Sequence, residues 1–223
     1  MNNRLYKICS YIIDGIGVID VGTDHGYLPI ELCDRAYKGN IIAADINEDP
    51  LSKAVRAAAD AGYSDRINFL LCDGLEKCPH DKIDKVVIAG MGGDTICGIL
   101  ERTQWCKNSG YTFYLQPMSK SEILRKWLID NGFAIIAEDL VVDNDTIYQI
   151  ISAKFGIPMS LNEAQLYIGI KELHSDLALY EELRQQLIRR FNRAIDGMSG
   201  AEKRDMSSRI EEYNTVLNQL ERI

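Results

Sequence analysis

Short apolar segments of strand length alternate with helical segments through most of this 223-residue chain. Strands are predicted at 18–21, 41–45, 67–72, 85–89 and 111–115, and helices at 27–36, 49–61, 95–106 and from Ser119 or Ser121 to Gly132. Strands that are continuously apolar are buried on both faces, which requires helices on each side of a parallel sheet. The pattern therefore predicts an α/β fold.

The last two strands of this region break the alternation. Phe133–Val142 and Thr146–Phe155 are joined only by Asp143-Asn144-Asp145, a tight polar turn. Because no helix fits between them, the pair must be antiparallel. A parallel α/β sheet closed by a hairpin resembles class I methyltransferases, whereas nicotinamide-binding Rossmann domains normally finish with a parallel strand.

The chain changes character at Gly156-Ile157-Pro158, which predicts one domain over residues 1–157 and a second over 158–223. Apolar residues recur at alternating steps of four and three on both sides of a predicted turn at 196–200. This spacing predicts an antiparallel coiled-coil hairpin of two helices. Its first helix, about 35 residues long, would span roughly 50 Å. A stabilising or dimerising hairpin and a substrate-guiding arm both fit this pattern.

Composition limits the partners of the chain. The net charge of −8 means that any RNA binding must come from a local basic patch. No secretory signal is visible and no apolar run approaches the ~20 residues of a membrane span, so we expect a cytoplasmic protein without membrane contact. Six scattered cysteines form no C-x-x-C pair, and we expect reduced thiols and no metal site.

A glycine-containing loop, Gly22-Thr23-Asp24-His25-Gly26, follows the first strand and precedes a helix. Glycine lets the backbone approach a ligand closely, and the helix directs N–H groups at the same place. A dinucleotide fingerprint would need glycine where Asp24 stands and glycine or alanine at Tyr27. The carboxylate of Asp24 would repel a pyrophosphate but suits a cationic amino group, such as that of S-adenosylmethionine. An ordinary βα loop is the alternative interpretation.

Two further acids end the next two strands. A carboxylate at Asp45 can accept both hydroxyls of an adenosine ribose, and Asp73 can accept from an adenine amino group. Alone, Asp45 fits a helix N-terminal acid and Asp73 fits a turn. Three acids at three successive strand ends on one sheet edge indicate an adenosine site more strongly.

The fourth and fifth predicted strands end at the same edge. Ala89-Gly90-Met91-Gly92-Gly93 is rich in glycine, which indicates a backbone that closely approaches a ligand, here a flat base. It lacks the Asn/Asp-Pro-Pro-aromatic motif of many amino methyltransferases, and a flexible loop is the alternative. Gln116-Pro117 either walls the substrate pocket or only precedes a helix.

With these motifs placed, the whole chain resembles the bacterial tRNA (adenine(22)-N1)-methyltransferase family. The matching segments are the N-terminal Arg4-Leu5 helix, Asp20 to Pro29, Asp45-Ile46-Asn47, Cys72-Asp73-Gly74-Leu75, Ala89 to Gly93, Leu115-Gln116-Pro117 and the C-terminal hairpin. Gly26 departs from the alanine that we expect in many relatives, and this should not alter cofactor binding.

The resemblance implies methyl transfer from S-adenosylmethionine to N1 of an unpaired or flipped adenine at position 22 of tRNA. Asp24, His25 and Tyr27 are the predicted catalytic residues. The predicted cofactor-binding residues are Asp20, Gly22, Thr23, Asp24, Gly26, Asp45, Ile46, Asn47, Asp73, Gly74, Ala89, Gly90 and Met91. The predicted substrate pocket comprises Met91, Gly92, Gly93, Gln116 and Pro117.

A basic surface must then hold the tRNA. Its candidates are Arg4, Lys7, Lys120, Arg125, Lys126, Arg184, Arg189, Arg190 and Arg193, although each alone fits a solvated surface charge. We expect a monomer or weak dimer. The alternatives are a methyltransferase for another RNA, a protein or a small molecule, and a non-catalytic nucleotide-binding Rossmann protein.

Overall fold

A computed structural model describes residues 2–199 and 207–223 of the chain. Its strands are β1 (Gly17–Val21), β2 (Asn40–Asp45), β3 (Ile67–Leu71), β4 (Lys85–Gly92), β5 (Thr112–Ser119), β6 (Phe133–Asp143) and β7 (Thr146–Phe155). Its α-helices are α1 (Asn3–Tyr11), α2 (Tyr27–Asp34), α3 (Glu48–Asp60), α4 (Gly93–Arg102), α5 (Ser121–Asp130), α6 (Glu163–Ile168), α7 (Leu177–Ser199) and α8 (Ser207–Leu220).

The seven strands form one sheet in the order β3-β2-β1-β4-β5-β7-β6. Strands β1 to β5 pair in parallel, and β7 is antiparallel to both of its neighbours. The chain reverses its winding direction between β1 and β4, where ligands of open α/β sheets bind outside the carboxyl ends of the strands. The predicted parallel sheet closed by a hairpin is confirmed.

The central strands β1 and β2 are buried along almost all of their length because helices cover both faces of the sheet. Alternate residues of β1 enter different cores: Ile19 and Val21 face the side of α4 and α5, and Val18 faces the side of α1 and α2.

The turn between β6 and β7 is determined by its own local sequence. Asn144 and Asp145 have φ of 47° and 59°, the left-handed conformation of a two-residue hairpin turn that matches the twist of its strands.

The C-terminal helices pack on the hairpin. Leu140 of β6 shares a buried cluster with side chains of α6, α7 and α8, namely Ala164, Ile168, Tyr180, Leu183, Leu187, Phe191, Val216 and Leu220. The prediction of one first helix of about 35 residues is wrong. That segment divides into α6, a 3-10 turn at Lys171–Leu173, and α7, whose 23 residues span roughly 35 Å.

Gly169 explains the interruption. Its φ is 86°, which ends α6, and a Cβ at this position would lie 2.4 Å from Oε2 of Glu138. The next amide, that of Ile170, donates to the same carboxylate at 2.7 Å instead of continuing the hydrogen bonds of α6. The predicted turn at 196–200 is wrong for residues 196–199, which lie in α7, and Gly200 lies outside the described residues.

Candidate active site

Backbone hydrogen bonds attach the loop after β1 to the neighbouring strand β2. The amides of Gly22 and Thr23 both donate to the carbonyl of Ala44, at 2.8 and 3.0 Å. Gly22 has a φ of 77°, and a Cβ on it would lie 2.4 Å from the Cε of Met91. The left-handed conformation therefore favours glycine here, whereas the terminal methyl group of Met91 belongs to a flexible side chain that can move aside.

Asp45 connects this loop to the one that follows β2. Its carboxylate is buried, and it accepts hydrogen bonds from the amides of Asn47 at 2.9 Å and Asp24 at 3.4 Å. The two loops are thus fixed relative to one another. Each amide takes one oxygen of Asp45, and a carboxylate oxygen has capacity for more than one donor.

A cavity of about 610 Å³ opens beside Asp45. It contains eight of the residues predicted to bind the cofactor, namely Gly22, Asp24, Asp45, Ile46, Asn47, Asp73, Gly74 and Met91. Helix α4 supplies a wall that the sequence did not predict, formed by Asp94, Thr95, Gly98, Ile99 and Arg102. In the sequence α4 is an ordinary amphipathic helix, and only Gly98 in its interior marks a place where a side chain is missing.

Arg102 sits at the rim of this larger cavity. Its Nη2 lies 2.9 Å from Oδ1 of Asp73, and its Nε lies 3.6 Å from Glu76. Asp73, predicted as an acceptor for an adenine amino group, thus already shares one oxygen with a guanidinium. The remaining carboxylates of the lining, Asp24, Asp45 and Asp94, leave an excess of negative charge around the cavity.

A smaller cavity of about 230 Å³ lies on the other side of the β1 loop. Gly22 and Asp24 line both cavities, so the two spaces meet at this loop. The smaller cavity is completed by Asn2, Arg4, Leu5, Asp20, Thr23, Tyr27, Ala89, Gly90 and Gln116. Asp20, Thr23, Ala89 and Gly90 were predicted to bind the cofactor, but the structure places them in this second space.

Gln116 organises the wall of the smaller cavity. Its Oε1 accepts from Arg4 Nη1 at 2.8 Å and from the Gly90 amide at 3.2 Å, and its Nε2 donates to the Pro117 carbonyl at 2.9 Å. The register of β4 against β5 shifts at Gly90, whose φ is 81°. Gln116 thereby satisfies the amide that the bulge removes from the ladder.

The predicted substrate pocket is not one space. Met91 lines the larger cavity, Gln116 the smaller one, and Pro117 a third cavity near α7. Gly92 and Gly93 line none of these three cavities, and their place in a substrate pocket stays a prediction. A Cβ on Gly93 would lie 2.2 Å from the carbonyl oxygen of Lys120, so this glycine permits the start of α4 to approach the chain at Lys120 closely.

The three residues predicted to be catalytic lie close together at the mouth of the smaller cavity. Asp24 and Tyr27 line it, whereas His25 does not. His25 stacks on Tyr27 with ring centroids 5.4 Å apart, and its Nε2 lies 3.7 Å from Asp24 Oδ2. Both side chains are at least partly exposed to solvent.

Asp20 is the buried acid of the smaller cavity. Burial raises its pKa from an ordinary value near 3.8 to about 7, and the neighbouring carboxylate of Asp45 adds to the rise. The folded state therefore holds this proton more tightly than the unfolded chain does. The free energy of unfolding consequently falls as pH rises from about 4 through 7.

We expect Asp20→Asn to flatten this part of the pH profile, because asparagine is isosteric and carries no charge. Urea unfolding at pH 5 and pH 8 measures the effect. The variant should gain stability relative to wild type at pH 8 and much less at pH 5. A wild-type to variant difference that is equal at the two pH values would contradict the assignment.

Relatives of known class resemble the chain closely. A methyltransferase domain family model matches residues 1–151. The tRNA (adenine(22)-N(1))-methyltransferase of Bacillus subtilis is 30% identical over 156 residues, which make up 70% of this chain and 66%, slightly less than two thirds, of that enzyme. A putative tRNA methyltransferase of Mycoplasma pneumoniae is 34% identical over 178 residues, 76% of this chain and 79% of that protein.

A putative tRNA (m1A22) methyltransferase of Streptococcus pneumoniae, solved in complex with S-adenosyl-L-methionine, is 30% identical, and the match covers 96% of this chain and 98% of that chain. It has the same fold, with a TM-score of 0.78. This chain belongs to the bacterial tRNA (adenine(22)-N1)-methyltransferase family. Family membership confirms the predicted methyltransferase class and the Rossmann-like fold.

Arg125 is one of the basic residues predicted to bind tRNA, and this prediction is wrong. Its side chain is fully buried, and its guanidinium forms an ion pair with Glu138 at 2.7 Å. The guanidinium of Arg4 also already has partners within the protein. In addition to its hydrogen bond to Gln116, its Nε lies 3.3 Å from Asp143 Oδ2 and its Cζ lies 4.4 Å from the Tyr148 ring centroid. Arg4 therefore belongs to the cavity wall and not to the free surface.

The remaining candidates divide into paired and unpaired cations. Lys7, Lys120, Lys126 and Arg184 form ion pairs with Asp139, Asp94, Asp130 and Glu181. Arg189, Arg190 and Arg193 are exposed on α7 and form no hydrogen bond or ion pair with residues 2–199 or 207–223. Uncommitted arginines are the groups that can bind phosphates without first losing a partner.

Other features of the described residues are neutral for function. All six cysteines fall within them and carry free thiols. No helix in residues 2–199 or 207–223 is long and apolar enough to cross a membrane. The same part of the chain contains no cluster of three or more metal-ligating side chains.

Proposed function

We propose that this protein transfers the methyl group of S-adenosylmethionine to N1 of adenine 22 in tRNA. The observation that carries the proposal is the meeting of two cavities at Gly22 and Asp24, in a chain of this family. One cavity has the acids that an adenosine with a cationic tail requires. The other is accessible from solvent and carries an exposed aromatic ring, as a pocket for a nucleobase does.

The larger cavity fits S-adenosylmethionine better than a dinucleotide. When bound, this cofactor supplies a methyl group activated by a sulfonium. The carboxylate of Asp45 would accept the ribose hydroxyls, Asp73 the adenine amino group, and Asp24 would face the cationic amino group. The same acids would repel the pyrophosphate of NAD. Titration calorimetry should therefore show S-adenosylmethionine binding without NAD binding, and the opposite preference would refute the assignment.

The smaller cavity is assigned to the target base. Adenine N1 lies on the Watson–Crick edge, so the base must be unpaired or flipped out of its helix to react. Tyr27 would stack on the base, and His25 would position the Tyr27 ring through their stacking contact. The wall made by Gln116, Arg4 and Gly90 fixes the opposite side.

Alignment and charge stabilisation are what the side chains contribute to the reaction. The N1 lone pair is already a nucleophile, so holding it in line with the methyl group supplies a large share of the barrier reduction. The methylated base is cationic until an N6 proton leaves. A carboxylate in contact with it stabilises this charge, and Asp24, which lines both cavities, is placed for this role.

We assign residues 1–157 to the catalytic domain and residues 158–223 to an arm that holds tRNA. Arg189, Arg190 and Arg193 form its uncommitted basic surface, which overcomes the net charge of −8 locally. We expect the protein to work in the cytoplasm, where tRNA is modified, as a monomer or weak dimer.

Reversing the charge of Arg189, Arg190 and Arg193 to glutamate should weaken tRNA binding at least tenfold and leave cofactor binding intact. Each lost phosphate contact should also make the slope of log binding constant against log salt concentration shallower by about one. The matched control reverses Lys38, Arg56 and Lys107, which are exposed, line neither cavity and change the net charge equally. Equal tRNA affinities for the two triple variants would show that these arginines of the arm do not bind tRNA.

Transfer of a labelled methyl group tests the function as a whole. Purified protein is incubated with methyl-labelled S-adenosylmethionine and, in separate reactions, unmodified tRNA, rRNA and total protein from cells. We expect label in tRNA alone. Label in another acceptor would favour a different substrate class, and label in none of them would favour a nucleotide-binding protein without transferase activity.

A further inference from the structure

We propose that a third cavity binds a nucleotide that neighbours the target adenine in the tRNA. This cavity, which we call the Tyr148–Tyr167 crevice, has a volume of about 370 Å³ and lies between the ends of β5, β7 and α6 and one face of α7. Its volume falls within the ~300–1,000 Å³ of typical ligand pockets. The inference rests on the proposed function, because its occupant is part of the tRNA substrate.

Two tyrosines line the crevice, and we assign the stacking of a base to their rings. Tyr148 comes from the hairpin and Tyr167 from α6, so the rings belong to the catalytic domain and the arm respectively. Tyr167 packs edge-to-face on Phe191 with centroids 5.0 Å apart, which holds its ring in place. Aromatic rings stack on any base, and single-stranded RNA is commonly recognised in this way.

Arg190 provides the matching charge for a phosphate. It lines the crevice, is exposed, and makes no ion pair with residues 2–199 or 207–223. Lys120, on the same lining, is bound to Asp94 at 2.6 Å, and Glu122 adds a carboxylate. A phosphate therefore has one uncommitted partner, Arg190, while Glu122 can accept from a base amino group.

The crevice shares a wall with the cavity assigned to the target base. Arg4 lines that smaller cavity, and its guanidinium contacts Tyr148 at 4.4 Å and the Sδ of Met118 at 2.7 Å. Tyr148 and Met118 both line the crevice. One layer of side chains thus separates the two spaces, so consecutive nucleotides of a splayed strand can occupy them together.

The floor of the crevice is already built. Gln149 Nε2 donates to Ser121 Oγ and to the Tyr167 carbonyl, both at 3.1 Å, while its Oε1 accepts from Arg125 at 2.5 Å. All of these groups are fixed before any ligand arrives. A preorganised pocket loses less entropy on binding than one that must first form.

Abasic tRNA transcripts test the proposal. We compare wild type, Tyr148→Leu and Tyr148→Phe on intact tRNA and on tRNA with a single abasic residue at position 21 or 23. In wild type, one of the two abasic residues should raise the KM for tRNA about tenfold, the effect of one lost base stack. Tyr148→Leu should raise the KM of intact tRNA similarly and show little further loss with that abasic tRNA, while Tyr148→Phe should behave as wild type.

The proposal is overturned if the change in KM caused by Tyr148→Leu and the change caused by an abasic residue are independent at both positions, so that the combined change equals their product. A second measurement needs no variant: 2-aminopurine at the sensitive position should lose fluorescence on binding to wild-type protein, and unchanged fluorescence at both positions would also overturn it. If wild type methylates intact tRNA while these tests fail, the crevice alone is wrong. If wild type does not methylate tRNA at all, the proposed function fails and the crevice falls with it.

Discussion

Replacing Asp45 with alanine is expected to weaken the affinity for S-adenosylmethionine by a factor of about 100 or more. Hydrogen bonds to a charged group are worth roughly 1.5–3 kcal/mol each, so losing both ribose contacts exceeds the ~2.7 kcal/mol of a 100-fold change. The substitution also removes the acceptor that ties the Asp24 and Asn47 amides together. Calorimetric titration of the cofactor measures the change directly.

Asp49→Ala is the matched control, because it removes the same charge from the exposed first turn of α3 and Asp49 lines none of the three cavities. Its dissociation constant should stay within about twofold of wild type. Comparable losses in the two variants would mean that general electrostatics, and not a specific contact of Asp45, holds the cofactor.

Replacing Arg125 with leucine is expected to lower the free energy of unfolding by about 3–5 kcal/mol, because removal of one partner leaves a buried charge without compensation. The guanidinium donates to Glu138, to Gln149 and to the Leu166 carbonyl, and Glu138 in turn accepts from the Ile170 amide at 2.7 Å. This network joins α5, the hairpin and the start of the arm. Thermal unfolding should therefore lose about 10 °C.

Lys126→Leu on the next position of α5 serves as the control, since its side chain is 67% exposed and its partner Asp130 is also on the surface. We expect a change below about 0.5 kcal/mol. In the double variant Arg125→Leu/Glu138→Leu, much of the stability should return because the stranded charge is gone. An Arg125→Leu protein as stable as Lys126→Leu would show that the buried pair contributes nothing.

Local pattern was sufficient for the parts of the fold that local interactions determine. The apolar runs predict the strands, and therefore also which carboxylates stand at the ends of β1, β2 and β3. The short polar loop predicts the turn at Asn144-Asp145. Because parallel strands end at a common edge, the order of elements alone brings Asp24 and Asp45 into one cavity.

What the sequence did not reveal depends on contacts between distant residues. An arginine on an amphipathic helix is usually a surface charge, and only Glu138 across the hairpin makes Arg125 a core residue. The same carboxylate accepts the Ile170 amide directly after Gly169, where the hydrogen bonds of α6 end. Likewise, the close approach of Gly93 to the backbone of Lys120 is a contact that glycine content alone does not predict.

The division between two cavities is non-local as well. Helix α1 places Arg4 next to Gln116, 112 residues away along the chain, and so encloses a space that no single motif defines. Residues of the β1 and β4 motifs therefore line cavities at the predicted edge of the sheet, but the motifs do not indicate which residue faces which cavity.

Primer extension on tRNA incubated with this protein is the most direct test of methyl transfer to N1 of adenine 22. A methyl group on adenine N1 blocks Watson–Crick pairing, so reverse transcriptase should stop one nucleotide before position 22 after incubation with S-adenosylmethionine. The stop should be absent without the cofactor and absent from a transcript in which adenine 22 is replaced by guanine. Methyl transfer to wild-type tRNA without a stop at position 22, or an equal stop on the guanine transcript, would show that N1 of adenine 22 is not the methylated atom.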